Sequence, residues 1–194
     1  MKSVLISIQP KWCELIASGK KTVEVRKTRP QIATPFKVYI YCTKGRGDCL
    51  WRWNGVWYDT QDPNHRPNRL DGKVIGEFVC DSMTSLKADN MIQAYYNNTQ
   101  ETYLTDEEIK QYANNGKLYY WHISDLVIYD KPKELSEFYQ IGKSNDYNYY
   151  DYCSGCPYHE TPVSEYPCAK CDGNRKYLYR PPQSWCYVES EDTE

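Results

Sequence analysis

Ser3–Gln9 sets Val4, Ile6 and Ile8 on one face of an extended segment, and strand signals of this kind recur to the end of the chain while helical spacing stays brief. Pro10 suits the first position of a helix, Trp12, Leu15 and Ile16 give that helix an apolar stripe, and Gly19 stands where a left-handed residue commonly closes the last turn. Lys21–Lys27 alternates Val23 and Val25 against Thr22, Glu24 and Arg26, so a second strand begins at once with its three polar side chains on one face. Phe36–Thr43 reads as a third strand. Asn54-Gly55 signals a two-residue hairpin that pairs Trp53 with Val56, Trp51 with Tyr58 and Arg52 with Trp57.

Further along, Gln61–Asp71 reads as a loop, and Lys73–Leu86 as one long strand with a bulge near Gly76. Thr105-Asp106-Glu107-Glu108 forms a capping box for a helix closed by Gly116. Leu118–Tyr129 is expected as one strand, Lys131–Phe138 as a short helix or turn opening at Pro132, and Ser184–Glu189 as the last strand. A doubly wound sheet needs more regular helices than this. The expected fold class is therefore α+β, a small mixed or antiparallel β-barrel with a few short helices.

Gly19-Lys20-Lys21-Thr22-Val23-Glu24-Val25-Arg26 fits the pattern G-x-K-x-x-E-x-R, and on this motif the chain resembles the ASCH domain family. Ser7-Ile8-Gln9-Pro10 before the helix and Trp121-His122-Ile123-Ser124-Asp125-Leu126 resemble the same family. The resemblance spans residues 1–140 and the closing strand. It implies a PUA-like β-barrel with a groove beside the first helix and action on RNA or nucleic-acid components. Some small bacterial members hydrolyse N4-acetylcytidine, using as proposed nucleophile a threonine where this chain has Glu24.

The charge pattern is consistent with an anionic partner. Residues 1–55 hold eleven Lys and Arg against three acidic residues, a net +8, and the remainder of the chain is net −10. A lopsided field of this kind suits a protein whose first third meets an anion. The 20 Tyr and 6 Trp against 3 Phe supply rings with a polar handle, suited to base stacking, although an A+T-rich genome would produce the same bias.

The expected ligand-binding residues are Lys20, Lys21, Glu24, Arg26 and Trp12. Lys21 offers an ammonium to a phosphate or carbonyl oxygen, Arg26 a bidentate fork, Glu24 an acceptor for a base amino group, and Trp12 a stacking surface. The bland alternative is a structural ion pair between Glu24 and Arg26. Were the site an enzyme, Lys21, Glu24 and Thr22 would carry the chemistry, with an added acid from Glu101, Glu107 or Glu108. The expected function is binding of RNA or a nucleotide-like ligand. The alternatives are an amidohydrolase acting on a modified nucleoside, a nuclease, or a protein-interaction module of a phage or mobile element.

Cys153-x2-Cys156 and Cys168-x2-Cys171 are separated by eleven residues, a spacing that suits a four-thiolate structural zinc site. An iron–sulfur cluster is the other use of four such thiolates. The surrounding stretch has no apolar core, and metal would replace one. Cys13, Cys42, Cys49, Cys80 and Cys186 lack ligand spacing and are expected to pack, and His122 is expected as a hydrogen-bonded core residue. The expected organisation is a barrel over 1–140, a zinc-binding insertion over 141–176, a closing strand over 177–188 and an acidic, disordered tail over 189–194. No run approaches a membrane span and Met1–Pro10 lacks a secretory pattern, so the expected location is reducing cytoplasm, with no membrane partner.

Overall fold

A computed structural model describes residues 2–44, 50–53, 56–59, 70–87, 101–140 and 176–190. The first strand, β1 (Ser3–Ile8), is buried on both faces, with Val4, Ile6 and Ile8 in one core cluster and Leu5 in another. Helix α1 (Pro10–Ala17) starts at Pro10 and turns Cys13 and Ile16 into the first cluster. Trp12 and Leu15, expected to share that stripe, are only half-buried.

After α1 come β2 (Val23–Arg26), β3 (Phe36–Cys42) and a hairpin of β4 (Leu50–Trp53) and β5 (Val56–Asp59). The hairpin register is the one the Asn-Gly turn requires, with Trp51 opposite Tyr58, Arg52 opposite Trp57 and Trp53 opposite Val56. The chain continues through β6 (Val74–Cys80), β7 (Met83–Lys87), helix α2 (Asp106–Ala113), β8 (Lys117–His122) and β9 (Ser124–Lys133). It ends with β10 (Phe138–Gln140), β11 (Lys176–Tyr177) and β12 (Trp185–Ser190).

The main sheet has seven strands in the order β11-β10-β12-β1-β3-β6-β9, and β2-β8-β7 forms a second sheet. Within the main sheet β1 and β3 are parallel, and α1 and β2 make the crossover between them. On β3, Phe36, Val38, Ile40 and Cys42 face the first cluster while Tyr39 and Tyr41 face the second, so the sheet carries apolar layers on both sides. The β2-β8-β7 sheet packs Val23, Val25, Leu118 and Tyr120 on Ile109 and Ala113 of α2. Burying one such aliphatic side chain is worth about 1.5–3 kcal/mol. The result is a mostly-sheet α+β fold whose described sheets stay open. The expected closed barrel is not formed by their hydrogen bonds, since β11 and β9 remain the outer strands of the main sheet.

Several expected elements differ in form. The single strand expected over Lys73–Leu86 is two, because the chain leaves the main sheet at Asp81-Ser82. Leu118–Tyr129 likewise divides at Ile123, where the chain returns. The corner between the sheets is held by Ser124 Oγ donating to the Val79 carbonyl at 3.0 Å and by the His122–Asp81 pair at 2.7 Å. His122 is thus hydrogen-bonded as expected, but at a half-exposed corner instead of in the core. Its imidazole holds the Asp81 carboxyl below the usual range.

The short helix or turn expected over Lys131–Phe138 forms as a single 3₁₀ turn at Leu135–Glu137, but it does not open at Pro132, because β9 runs through Pro132 to Lys133. Pro132 is tolerated because β9 is an outer strand. The Thr105 capping box is present, but the left-handed residue closing α2 is Asn114, two residues before Gly116. Cys13, Cys42 and Cys80 are buried as expected, and Cys186 packs half-buried on β12 against the second cluster. Cys49, Cys153, Cys156, Cys168 and Cys171 lie outside the described residues, as do 141–175. Among the described residues, no helix is long and apolar enough to cross a membrane.

Candidate functional site

Gly19, with φ of +71°, turns the chain sharply at the end of α1, and the amides of both Lys20 and Lys21 donate to the Leu15 carbonyl at 2.9 Å. This turn fixes where Lys21 starts. Its side chain is 2% exposed, and Nζ donates to the Thr102 carbonyl at 2.7 Å while lying 3.5 Å from Glu24 Oε2. On β2, Arg26 sends Nη2 to the Ser7 carbonyl at 2.7 Å, and its Nε lies 3.0 Å from Glu24 Oε1.

Three buried charges therefore meet, two cationic groups around one carboxylate. Burial lowers the Lys21 pKa from its usual value, with Glu24 opposing and Arg26 reinforcing that change. Charges removed from water persist only when paired and hydrogen-bonded. Here Glu24 supplies the pairing, and the carbonyls of Thr102 and Ser7 accept one hydrogen bond from Lys21 and one from Arg26, while the buried Arg26 Nε makes no hydrogen bond of its own.

This trio lines a cavity of about 790 Å³. Trp12 forms one wall, with Lys21 Nζ 5.3 Å and Lys11 Nζ 4.3 Å from its ring centroid. Glu108 and Tyr112 of α2 form another, and Pro181, Pro182 and Gln183 close the side nearest β12. Ser7 Oγ donates to the Pro182 carbonyl at 2.7 Å, tying that lip to β1.

Of the expected ligand-binding residues, Lys21, Glu24, Arg26 and Trp12 come together here. Lys20 is exposed outside the lining, because the turn after Gly19 directs consecutive residues apart. Thr22 is also outside the lining; its amide donates to the Glu101 carbonyl and its carbonyl accepts from Ile123. Of the acids considered for catalysis, only Glu108 lines the cavity, and one of its oxygens accepts from the Thr105 amide at 2.8 Å. The ion pair weighed as the bland alternative does form, and it forms within the cavity wall. Sequence reasoning missed the 181–183 lip and the carbonyls of Ser7 and Thr102, for which no local residue pattern exists.

A family model for the ASCH domain matches residues 6–124. The chain belongs to the ASCH domain family. Its cavity is built largely from that matched stretch, with the lip of residues 181–183 added from outside it. Among solved structures, a serine-to-alanine variant of ZmASCH from Zymomonas mobilis is 17% identical, with 96% of this chain and 88% of that one covered at a TM-score of 0.53. ASCH from Zymomonas mobilis is 22% identical over 69% of this chain and 73% of that one, with a TM-score of 0.47. Curated proteins give no match. The first of these likenesses is one of fold.

Proposed function

We propose that this ASCH domain binds RNA or a nucleotide-like ligand in the cavity between α1, β2 and α2. The observation that carries this reading is the buried Lys21–Glu24–Arg26 trio in the cavity wall with Trp12 beside it. Two cationic groups against one carboxylate favour an anion, and a base stacked on Trp12 adds about 1–3 kcal/mol. Binding is preferred to hydrolysis of a nucleoside such as N4-acetylcytidine. Glu24 supplies no hydroxyl, Thr22 is not among the residues lining the cavity, and the Ser7 hydroxyl is engaged with Pro182.

The test is titration of nucleoside monophosphates and of the matching nucleosides at low and physiological salt, followed by Trp fluorescence in wild type and Trp12→Leu. Nucleotides should bind at least about tenfold more tightly than nucleosides, weaken with salt and lose most of their affinity in the variant. Absence of nucleotide binding at low salt would overturn the reading, and turnover of N4-acetylcytidine would replace it with the amidohydrolase.

For the cysteine-rich stretch the proposal is one structural zinc held by Cys153, Cys156, Cys168 and Cys171, a donor set of four thiolates that suits tetrahedral zinc. Protein purified without added metal should carry about one equivalent of zinc, and a strong chelator should release it together with four reactive thiols. Less than about half an equivalent would sink the assignment.

A further inference from the structure

We propose that Tyr103 is a positioning residue for the cavity: its left-handed backbone aims the Thr102 carbonyl at Lys21 and so keeps that ammonium available to an anionic ligand oxygen. This rests on the ligand-binding reading of the cavity. Tyr103 has a φ of +57°, which a bulky residue rarely adopts. It is 43% exposed, stands outside the cavity lining and belongs to none of the three core clusters, so burial of its ring does not hold the backbone there. Residues 101–102 are helical, and Tyr103 occupies the place where helices commonly close on a left-handed glycine. The last carbonyls of a helix lack partners within it. Here the last two are taken by consecutive residues just before β2. The Thr22 amide donates to the Glu101 carbonyl at 3.0 Å, and Lys21 Nζ donates to the Thr102 carbonyl at 2.7 Å.

The effect at the cavity follows from the hydrogens of an ammonium, which has three to donate. Thr102 takes one, and Glu24 Oε2 lies 3.5 Å from Nζ, beyond the about 2.7–2.9 Å of a tight charge-assisted hydrogen bond. The carbonyl thus holds Nζ off the carboxylate, and Lys21 lines the cavity with an ammonium that Glu24 has not fully claimed. Without that carbonyl, attraction draws Nζ onto Glu24. Where the carbonyl points depends on residue 103. Leu104 packs on the cluster that joins Val23, Val25, Leu118 and Tyr120 to α2, so the chain after residue 103 is fixed on the β2-β8-β7 sheet. A change of φ at 103 then rotates the peptide group that carries the Thr102 oxygen. The Thr102 hydroxyl spans the same turn by accepting from the Leu104 amide, but at 3.4 Å it is too long to hold the turn alone.

The variants that decide this differ in how readily residue 103 takes a left-handed backbone. Glycine takes it freely and asparagine more readily than tyrosine, whereas valine, branched at Cβ, resists it. Tyr103→Gly, Tyr103→Asn and Tyr103→Val would be compared with wild type by titration of nucleoside monophosphates. Each would also be followed by NMR pH titration of isotope-labelled lysine, with Lys21→Arg assigning the signal. The charged groups that face Lys21 are Glu24 and Arg26 of β2. The glycine and asparagine variants should keep affinity within about twofold and leave the Lys21 titration in place. Tyr103→Val should lose about tenfold in affinity, and its Lys21 should titrate at higher pH because Nζ gains a closer carboxylate. Where the valine variant does not fold, Tyr103→Thr, branched in the same way, takes its place. A loss of about tenfold in Tyr103→Gly would mean that the ring acts and the backbone does not. Wild-type affinity or an unmoved Lys21 titration in Tyr103→Val would equally overturn the positioning role. If wild type binds no nucleotide, the cavity reading fails, and the Lys21 titrations by themselves decide whether Tyr103 positions the ammonium.

Discussion

Glu24→Ala should cost about 3–5 kcal/mol of stability, a large share of the 5–15 kcal/mol typical of a domain. The carboxylate side chain is 8% exposed and stands between Lys21 and Arg26, so its removal leaves two cationic groups facing each other out of water. Carbonyls of Thr102 and Ser7 still accept one hydrogen bond from each cation, but they carry no charge to offset it. The check is urea unfolding of wild type, Glu24→Ala, Arg26→Met and the double variant. Removing either partner alone strands a charge. The double variant should therefore lose at least about 1 kcal/mol less than the two single losses together. A Glu24→Ala loss within about 0.5 kcal/mol of zero would mean that water reaches the trio and that no buried network exists. The same carboxylate links stability to function. It holds two cationic side chains together in the cavity wall, and on the proposed reading an anion there would meet donors already oriented.

What the sequence revealed of this arrangement follows the range of the interaction involved. Local geometry was readable: Pro10 opens α1, Gly19 closes it, Thr105 caps α2 with Glu108, and the Trp51–Tyr58 register follows from Asn54-Gly55. The motif also located Lys21, Glu24 and Arg26 because a turn and a short strand fix their relative positions. Their partners were not readable. Lys21 meets residue 102 and Ser7 meets residue 182, contacts decided by how β1, β2 and β12 assemble and by nothing in the neighbouring residues. The strand breaks failed for a similar reason. Asp81-Ser82 and Ile123 interrupt segments whose apolar pattern continues, and the break is a change of sheet, which period-two spacing does not encode. At Pro132 a residue that commonly opens a helix instead occupies an outer strand, where its missing amide is not needed.

Gly76→Val should destabilise the protein by about 3 kcal/mol or more, and Gly76→Ala should already be harmful. A Cβ at this position would run into the Val127 carbonyl oxygen and come to 3.1 Å from the Ile128 Cα, both backbone atoms of β9 that cannot swing aside. The registers explain the close approach. On one side β6 pairs Ile40 with Gly76 and then Tyr41 with Val74, and on the other it pairs Gly76 with Ile128 but Val74 with Lys133. Against β3, Ile75 is the extra residue, whereas against β9 the surplus lies on β9 between Ile128 and Lys133, and the strand bends at a bulge beside the early glycine. The bend brings β6 and β9 together, and the continuation of both strands carries the chain into the β2-β8-β7 sheet, where Glu24 and Arg26 stand opposite Trp121 and Tyr119. A side chain at Gly76 therefore separates the sheet from its outer strand and misplaces the strand that backs the cavity. Thermal and urea unfolding of Gly76→Ala and Gly76→Val, with nucleotide titration of whichever remains folded, is the measurement. Wild-type stability in the valine variant would mean that β9 can move away freely, and then the site could not depend on this close packing for its position.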